Sequence, residues 1–273
     1  MLGICLDRVR STAPLIHCIT NYVTVNDVAN ALLACGASPI MADDPGEVAD
    51  ISKLCAGLTL NIGTLNQRTL PAMEIAGKTA AALGHPIVLD PVGAGASVLR
   101  TQSAQHLLEQ IPFTAIRGNV SELRALMGGG TGAHGVDANR ADAVTDSNLK
   151  QGIAFAQSAA AQLHSIVAIT GAIDLVADPV RCFVIRNGRR EMSRITGTGC
   201  QLSALTTAFL AANPDRRLEA VAAAVTCMGV AGEIGWGHLA PYEGNATYRN
   251  RILDAIYHMD AQQLEEHANY ELR

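Results

Sequence analysis

Aromatic and charged residues are both scarce in this sequence. Phe, Trp and Tyr make up 4% of the 273 residues, and Asp, Glu, Lys and Arg make up 16%, whereas 49% are hydrophobic. A core with so few rings has to be built from Ala and aliphatic side chains, which let helices lie close against a sheet. The composition therefore favours a layered α/β fold, and the length predicts a single domain over residues 1–273.

Clustered positive charge, paired cysteine motifs and a long apolar run are also missing. The net charge is −5 with Lys and Arg scattered, which argues against nucleic-acid or anionic-membrane partners. The seven cysteines include no C-x-x-C pair, so neither a disulfide framework nor a zinc site is indicated. The N-terminus has no apolar signal region, and the apolar run 220–232 is better interpreted as a buried helix than as a membrane span. We expect a cytoplasmic protein with small-molecule partners.

Several catalytic signatures are absent or incomplete. There is no H-E-x-x-H pair and no G-x-S-x-G elbow, so zinc hydrolysis and Ser-His-Asp acyl transfer lack support. Gly77-Lys78-Thr79 resembles the end of a P-loop but lies within a predicted helix. A G-x-G-x-x-G string at 130–135 follows a helix instead of a strand, which disfavours a dinucleotide-dependent dehydrogenase. We interpret 128–135 as a Gly-rich loop and leave open whether it closes over a site.

Short apolar runs alternate with helical patterns as far as Thr170. We predict strands at 15–19, 38–41, 57–61, 86–90, 113–117 and 165–170, and helices from Val25 to Gly36, from Asp44, from Thr64 to Gly84, from Ser103 and from Asn119. Such units in series imply a mostly parallel sheet with helices on both faces. Two further runs, at 174–178 and 181–186, flank turn residues, and Asn187-Gly188 is a second hairpin signal, so we predict an antiparallel edge here. The pattern is helical after Cys200.

The segment Thr196-Gly197-Thr198-Gly199-Cys200 immediately precedes a clear apolar helix. Glycines let the backbone approach a phosphate closely, and the unpaired N–H groups at the start of a helix favour negative charge. We predict that this segment binds the phosphates of a nucleotide in an enzyme that phosphorylates a small alcohol. A plain Gly-rich helix start is the alternative.

Polar residues also end three of the predicted strands. At the carboxyl edge of a parallel sheet, Asp90 is placed to contact magnesium, and Arg117 and Thr170 are placed to hold phosphate oxygens. Glu122 forms an N-capping pair with Asn119, and capping is its simplest interpretation. Each of these residues alone also fits a turn or a surface role, so the prediction depends on their convergence at one edge.

Seven strings in this order resemble the hydroxyethylthiazole kinases of thiamine salvage, and they cover most of the chain up to Cys200. They are ITNYVT at 19–24, GASPIM at 36–41, LNIGTL at 60–65, DPVGAG at 90–95, IRGNVSE at 116–122, AITG at 168–171 and TGTGC at 196–200. The resemblance implies a ribokinase-like fold and ATP-dependent phosphorylation of 4-methyl-5-(2-hydroxyethyl)thiazole at its primary alcohol.

The resemblance also implies the roles of individual residues and an assembly. It implies thiazole contacts from Met41 and Gly197 with Asn21 nearby, ATP contacts from Arg117 and Thr170, magnesium binding by Asp90 and Glu122, and a catalytic Cys200. The resemblance further implies a homotrimer with its sites between subunits. Three alternatives stay open. They are a different ribokinase-like small-alcohol kinase, an ATP-dependent repair enzyme of the hydratase type, and a non-catalytic nucleotide- or vitamin-binding protein.

Cys200 stands where most ribokinase-like enzymes carry Asp, a feature in which the chain resembles the thiazole kinases. Phosphoryl transfer passes through a loose transition state, so a weak base suffices. We expect the helix N-terminus to lower the pKa of the Cys200 thiol from about 8.5, so that some thiolate can accept the substrate proton. The other interpretation is a small residue that only fills space.

Overall fold

The computed structural model describes residues 2–128 and 143–273, so the Gly-rich string 130–135 lies outside the described residues. Its strands are β1 (Leu15–Ile19), β2 (Ser38–Met41), β3 (Gly57–Asn61), β4 (Ile87–Asp90), β5 (Ala115–Gly118), β6 (Ile166–Ile169), β7 (Asp174–Ala177), β8 (Cys182–Ile185) and β9 (Tyr270–Leu272). Its helices are α1 (Gly3–Thr12), α2 (Val25–Cys35), α3 (Val48–Leu54), α4 (Thr69–Ala82), α5 (Val98–Gln110), α6 (Val120–Leu126), α7 (Leu149–Leu163), α8 (Thr198–Ala212), α9 (Arg217–Gly237), α10 (Asn245–His258) and α11 (Ala261–His267).

In the described part of the chain, the strands form one nine-stranded sheet in the order β2-β1-β3-β4-β5-β6-β7-β8-β9. All pairings from β2 to β6 are parallel, and β7, β8 and β9 pair antiparallel. The predicted mostly parallel sheet with an antiparallel edge is thereby confirmed. The direction of the chain across the sheet reverses at β1, and ligands of open α/β sheets bind outside the carboxyl ends of strands at such a point.

Two hydrophobic clusters, one on each face, hold the helices to the sheet. One cluster includes residues of α1, α2 and α8 to α11, and the other includes residues of α3 to α7. Successive strand residues alternate between them, as Val88 and Leu89 do in β4. Helix α9 is apolar and 83% of its most apolar stretch is buried, which agrees with the predicted core helix.

Two helices begin later than predicted, and for the same reason. Asp44 does not cap α3 directly, because its carboxylate accepts a hydrogen bond from the backbone N–H of Gly46 (2.9 Å) in a turn before Val48. Likewise, Asn66 accepts from the N–H of Thr69 (3.1 Å), so α4 starts at Thr69 and not at Thr64. Short Asp and Asn side chains stabilise turns that compete with helix extension.

Three further predictions about local structure are wrong. Helix α5 starts at Val98 because Ser97, whose hydroxyl accepts from the N–H of Arg100 (3.2 Å), caps it. Asn187-Gly188 forms no hairpin, because a 3-10 helix follows it; the predicted turn between the runs 174–178 and 181–186 does join β7 and β8, and there the Asp178 carboxylate accepts from two following N–H groups. The chain does not stay helical to its end, because β9 adds a last strand beside β8.

Candidate active site

The predicted site residues meet at the carboxyl edge of the sheet, next to the first turn of α8. Asn21 follows β1, Asp90 ends β4, and Arg117 lies in β5. Thr170 follows β6, and Cys200 is the third residue of α8. The parallel strands and the packing of α8 against them bring together residues that lie up to 179 positions apart in the chain, Asn21 and Cys200.

A chain of amide hydrogen bonds joins two of the predicted site residues, Cys200 and Asp90. Asn21 Nδ2 donates to Cys200 Sγ (3.1 Å) and to Asn61 Oδ1 (3.1 Å). Asn61 Nδ2 in turn donates to Asp90 Oδ2 (2.7 Å), and the Ser203 hydroxyl donates to the same oxygen (2.8 Å). All of these side chains are buried. The network therefore fixes the orientation of both predicted groups.

Two members of the network, Asn61 and Ser203, are not among the residues predicted from the sequence. Asn61 ends its strand in register with Asp90, so a polar residue at the end of a buried strand was the signal available for it. Ser203 lies one helical turn after Gly199, and its hydroxyl also donates to the Gly199 carbonyl (3.2 Å). Nothing in the sequence separates this Ser from the other hydroxyl residues of α8.

The second oxygen of Asp90 has no hydrogen bond. Asp90 is fully buried, and its Oδ1 lies 3.5 Å from Nη1 of Arg117, too far for a good hydrogen bond but close enough for an ion pair. Burial raises the pKa of Asp90, and the Arg117 guanidinium opposes that shift. Arg117 Nη2 also donates to the Thr170 hydroxyl (2.7 Å). Arg117 therefore links Asp90 to Thr170.

Arg117 and Thr170 line a cleft of about 570 Å³. Its lining combines polar residues, such as Asp174 and Asn187, with apolar ones, such as Met192 and Met228. A volume of this size and mixed polarity is typical of small-molecule sites. A second cavity of about 700 Å³ lies around the start of α9 and includes none of the predicted site residues.

Two glycines at the start of α8 allow close approaches. Gly197 has φ 90°, and a Cβ there would lie 2.5 Å from Cγ2 of Thr24. Thr24 is itself part of the network, because its hydroxyl donates to Asn21 Oδ1 (3.0 Å). At Gly199, a Cβ would lie 2.4 Å from Nη1 of Arg117. The glycines therefore let the helix start contact the residues on both sides of it.

The expected lowering of the Cys200 pKa is wrong. Burial and the nearby Asp90 carboxylate raise the pKa of this thiol, and the neighbouring Thr24, Arg117 and Asn21 side chains lower it by less. The helix N-terminus favours the thiolate, but the cost of burying a thiolate exceeds this effect. Cys200 is therefore a neutral thiol near pH 7, and its sulfur accepts the Asn21 amide.

Glu122 forms the predicted capping box at the start of α6. Its Oε2 accepts from the N–H of Asn119 (2.9 Å), and Asn119 Oδ1 accepts from the N–H of Glu122 (2.9 Å). Its Oε1 accepts from the N–H of Gly93 (2.9 Å), which ties α6 to the loop after Asp90. Burial and the Asp90 charge raise the pKa of Glu122 to about 7.

The raised pKa of Glu122 makes stability depend on pH. The unfolded chain loses this proton near pH 4.5 and the folded chain near pH 7, so the folded chain binds more protons between these values. The free energy of unfolding therefore falls as pH rises through that range. From pH 5 to pH 8, we expect the free energy of unfolding of the wild type to fall by about 2 kcal/mol more than that of the Glu122→Gln variant. Urea unfolding at both pH values measures this difference.

The exposed Glu109→Gln serves as the control for loss of a carboxylate from a helix surface. Gln at 122 keeps one of the two backbone contacts, so its absolute stability is less informative than the change with pH. The expectation would be contradicted if the difference in the free energy of unfolding between Glu122→Gln and the wild type were the same at pH 5 and pH 8.

Met41 ends β2, the edge strand, in register with Cys18 of β1. It is half-buried and packs against the hydrophobic cluster that contains Cys200. Met41 therefore lies one strand beyond Asn21 along the same edge of the sheet. It adds an apolar surface to an edge that is otherwise polar.

Comparisons with known proteins agree with this geometry. A family model described as the hydroxyethylthiazole kinase family matches residues 6–262. The hydroxyethylthiazole kinase of Clostridium acetobutylicum is 53% identical over 266 residues, which cover 97% of both chains. A hydroxyethylthiazole kinase structure from Pyrococcus horikoshii matches with a TM-score of 0.88 and 34% identity, covering 100% of this chain and 98% of that one.

A ribokinase-like superfamily protein from Enterococcus faecalis has the same fold, with a TM-score of 0.64 and 12% identity over 96% of this chain and 95% of that one. The ribokinase-like fold is thereby confirmed, as is the resemblance carried by the seven strings. Because the matching model and relatives are kinases over nearly the whole length, the chain is a phosphotransferase. It belongs to the hydroxyethylthiazole kinase family.

Proposed function

We propose that this chain transfers the γ-phosphoryl group of ATP to the primary alcohol of 4-methyl-5-(2-hydroxyethyl)thiazole, which gives the thiazole phosphate used in thiamine biosynthesis. The observation that carries the proposal is the position of the α8 start. Gly199 lies against Arg117 on the side of the cleft, and the adjacent Cys200 is bonded to Asn21 on the other side. A phosphoryl group at this helix start can face both a nucleotide and an alcohol.

Arg117 and Thr170 would bind the ATP phosphates. Their mutual hydrogen bond leaves the remaining guanidinium donors of Arg117 available to phosphate oxygens. The first N–H groups of α8 have no partner within the helix, and the first to bond backwards is that of Gln201, to the Gly197 carbonyl (2.9 Å). These amides would stabilise the charge that develops during transfer.

Asp90 and Glu122 would hold Mg²⁺, which neutralises phosphate charge when bound. The buried Oδ1 of Asp90 has no hydrogen bond and so has lone pairs available to a cation or its water. Among the described residues, no group of three or more His, Cys, Asp or Glu side chains forms a metal cage. In phosphoryl-transfer enzymes, Mg²⁺ is commonly bound by one or two carboxylates, and substrate phosphates complete its coordination. Both Glu122 oxygens already accept backbone N–H groups, so Asp90 would be the stronger ligand.

Met41 and Gly197 would contact the thiazole, with Asn21 beside it. Both amide hydrogens of Asn21 are engaged by Asn61 and Cys200, so Asn21 has no donor left for the ligand. Its contribution to the acceptor site is therefore to hold Cys200. As a neutral thiol, Cys200 would lie beside the substrate hydroxyl and accept a hydrogen bond from it through a sulfur lone pair, whereas uptake of the proton would require the thiolate, which burial disfavours.

We also propose one kinase domain over residues 1–273, a homotrimer and a cytoplasmic location. Tyr22 and Val23 directly follow Asn21 and are 61% and 66% exposed despite their apolar character, which fits a surface that a neighbouring subunit covers. All seven cysteines are free and buried, which fits a reducing compartment.

The test is ATP turnover with hydroxyethylthiazole as acceptor in the presence of Mg²⁺, followed by mass spectrometry of the phosphorylated product. Pyridoxal and a hydroxymethylpyrimidine serve as competing acceptor alcohols, and chelation of Mg²⁺ should stop the reaction. ADP formation only with another alcohol would favour a different small-alcohol kinase. Binding of ATP and thiazole without any ADP would favour a non-catalytic binding protein.

We expect Cys200→Ala to lower kcat about tenfold, because the attacking hydroxyl would lose the sulfur that orients it as a hydrogen-bond acceptor. Cys200→Asp should retain activity, since a carboxylate accepts the same hydrogen bond and can also take up the proton. Steady-state kinetics at saturating ATP measure both. Cys227→Ala, a buried helical thiol in α9, controls for lost packing. A Cys200→Ala enzyme with wild-type kcat would remove any role of the sulfur in the transfer.

A further inference from the structure

Arg100 lies in the first turn of α5 and reaches towards the candidate active site. The Ser97 cap fixes this turn, since its hydroxyl accepts from the N–H of Arg100 itself (3.2 Å). The guanidinium then donates from Nη2 to the carbonyl of Gly63 (2.7 Å) and from Nη1 to the carbonyl of Val92 (3.2 Å). One side chain thus bonds to two separate loops.

These two loops follow the neighbouring strands β3 and β4. The last backbone hydrogen bond between them runs from the N–H of Ile62 to the Asp90 carbonyl (3.2 Å). Beyond that point the Arg100 guanidinium connects the loops. The residues just before the loops are Asn61 and Asp90, the bonded pair at the centre of the site. Movement of either loop would therefore move one member of that pair.

The backbone at Gly93 is shaped to receive this guanidinium. Gly93 has φ 75°, and a Cβ there would lie 2.3 Å from Nη1 of Arg100. The N–H of the same residue donates to Glu122 Oε1 (2.9 Å), so the loop after Asp90 is held by Arg100 on one side and by α6 on the other. The planar, five-donor fork of Arg suits two carbonyls, whereas the ammonium of Lys is a single point.

We propose that Arg100 is a positioning residue for phosphoryl transfer, which fixes the loops at 62–64 and 91–95 and thereby the pair Asn61 and Asp90. The inference rests on the proposed kinase reaction. Displacement of a reacting or charge-bearing group by about 1 Å costs roughly 100-fold in rate. The variants should therefore change kcat far more than the KM for the thiazole alcohol, which binds on the other side of Asn21.

The experiment compares Arg100→Ala and Arg100→Lys with the wild type, after wild-type turnover has been established so that failure of the proposed function is seen first. We expect kcat to fall about 30- to 100-fold in both variants and the KM for the thiazole alcohol to stay within about threefold. Added methylguanidinium should raise the kcat of the Arg100→Ala variant at least tenfold. Backbone amide hydrogen exchange should become faster in residues 62–64 and 92–95.

Arg181→Lys is the matched control, since Arg181 bonds to Asp178 and Glu219 and does not contact the site network. It should keep wild-type kcat. The inference is overturned if Arg100→Lys has wild-type kcat, if methylguanidinium gives the Ala variant no recovery, or if exchange in the two loops stays unchanged. Lower thermal stability with kcat per folded molecule unchanged would also overturn it, because it would leave only a structural role.

Discussion

Replacement of Asp90 by Asn is expected to lower kcat about 1000-fold while leaving the protein at least as stable at pH 7 as the wild type. The rate loss follows from the loss of the negative charge that faces Arg117 at 3.5 Å and that would hold the cation. Removal of one preorganised charged or polar group from a buried site typically costs 100- to 1000-fold in rate. We expect the upper end of this range because Asp90 would serve both the metal and Arg117.

The stability expectation follows from burial. Burial raises the pKa of Asp90, so the carboxylate is less favourable inside the fold than in water. Asn is nearly the same size, and its amide oxygen can still accept from Asn61 and Ser203 in place of Asp90 Oδ2. A variant that is inactive but stably folded would separate the catalytic role of Asp90 from a structural one. Steady-state kinetics and thermal unfolding of the same preparation give both quantities.

Asp178→Asn is the matched control for this experiment. Asp178 also pairs with an arginine, Arg181, but at the hairpin turn between β7 and β8, away from the site. It should keep kcat within about twofold. If Asp90→Asn retained more than a tenth of the wild-type kcat, Asp90 would not be the principal charge of the site.

The fold and the site residues at the carboxyl edge of the sheet were predictable, because strand ends carry local sequence signals. Asp90, Arg117 and Thr170 each follow a short apolar run, and parallel pairing then brings them to one edge whatever their separation in sequence. The contacts between them depend on register and side-chain orientation. That Asp90 bonds to Asn61 follows from the pairing of β3 with β4, which no pattern within either segment specifies.

The ionisation of Cys200 shows a different limit. A sequence places a thiol at a helix N-terminus, which lowers its pKa, but it does not give the depth of burial or the distance to Asp90. In the folded chain these two effects exceed the first, so the direction of the shift reverses. Burial of Glu122 likewise raises its pKa although its backbone hydrogen bonds favour the carboxylate. Both groups are affected because the site is enclosed.

Glycine is needed for different reasons at the two positions at the start of α8, 197 and 199. Gly197 has a positive φ and lies against Thr24, so substitution there strains the backbone as well as the packing. Gly199 lies inside the helix with no such φ, and its obstacle is the end of the Arg117 side chain, which can move. Substitution at 199 therefore separates the function of Arg117 from the stability of the helix.

Gly199→Ala is accordingly expected to raise the KM for ATP at least 30-fold and to leave thermal stability unchanged or higher. The added Cβ would displace the guanidinium from the Thr170 hydroxyl and from Asp90, and loss of charge-assisted phosphate contacts costs about 2 kcal/mol or more. Ala favours the helix over Gly by up to about 1 kcal/mol. Gly237→Ala, where the Cβ meets open space, is the control. A normal KM for ATP in Gly199→Ala would mean that Arg117 does not bind the nucleotide from its position beside Gly199.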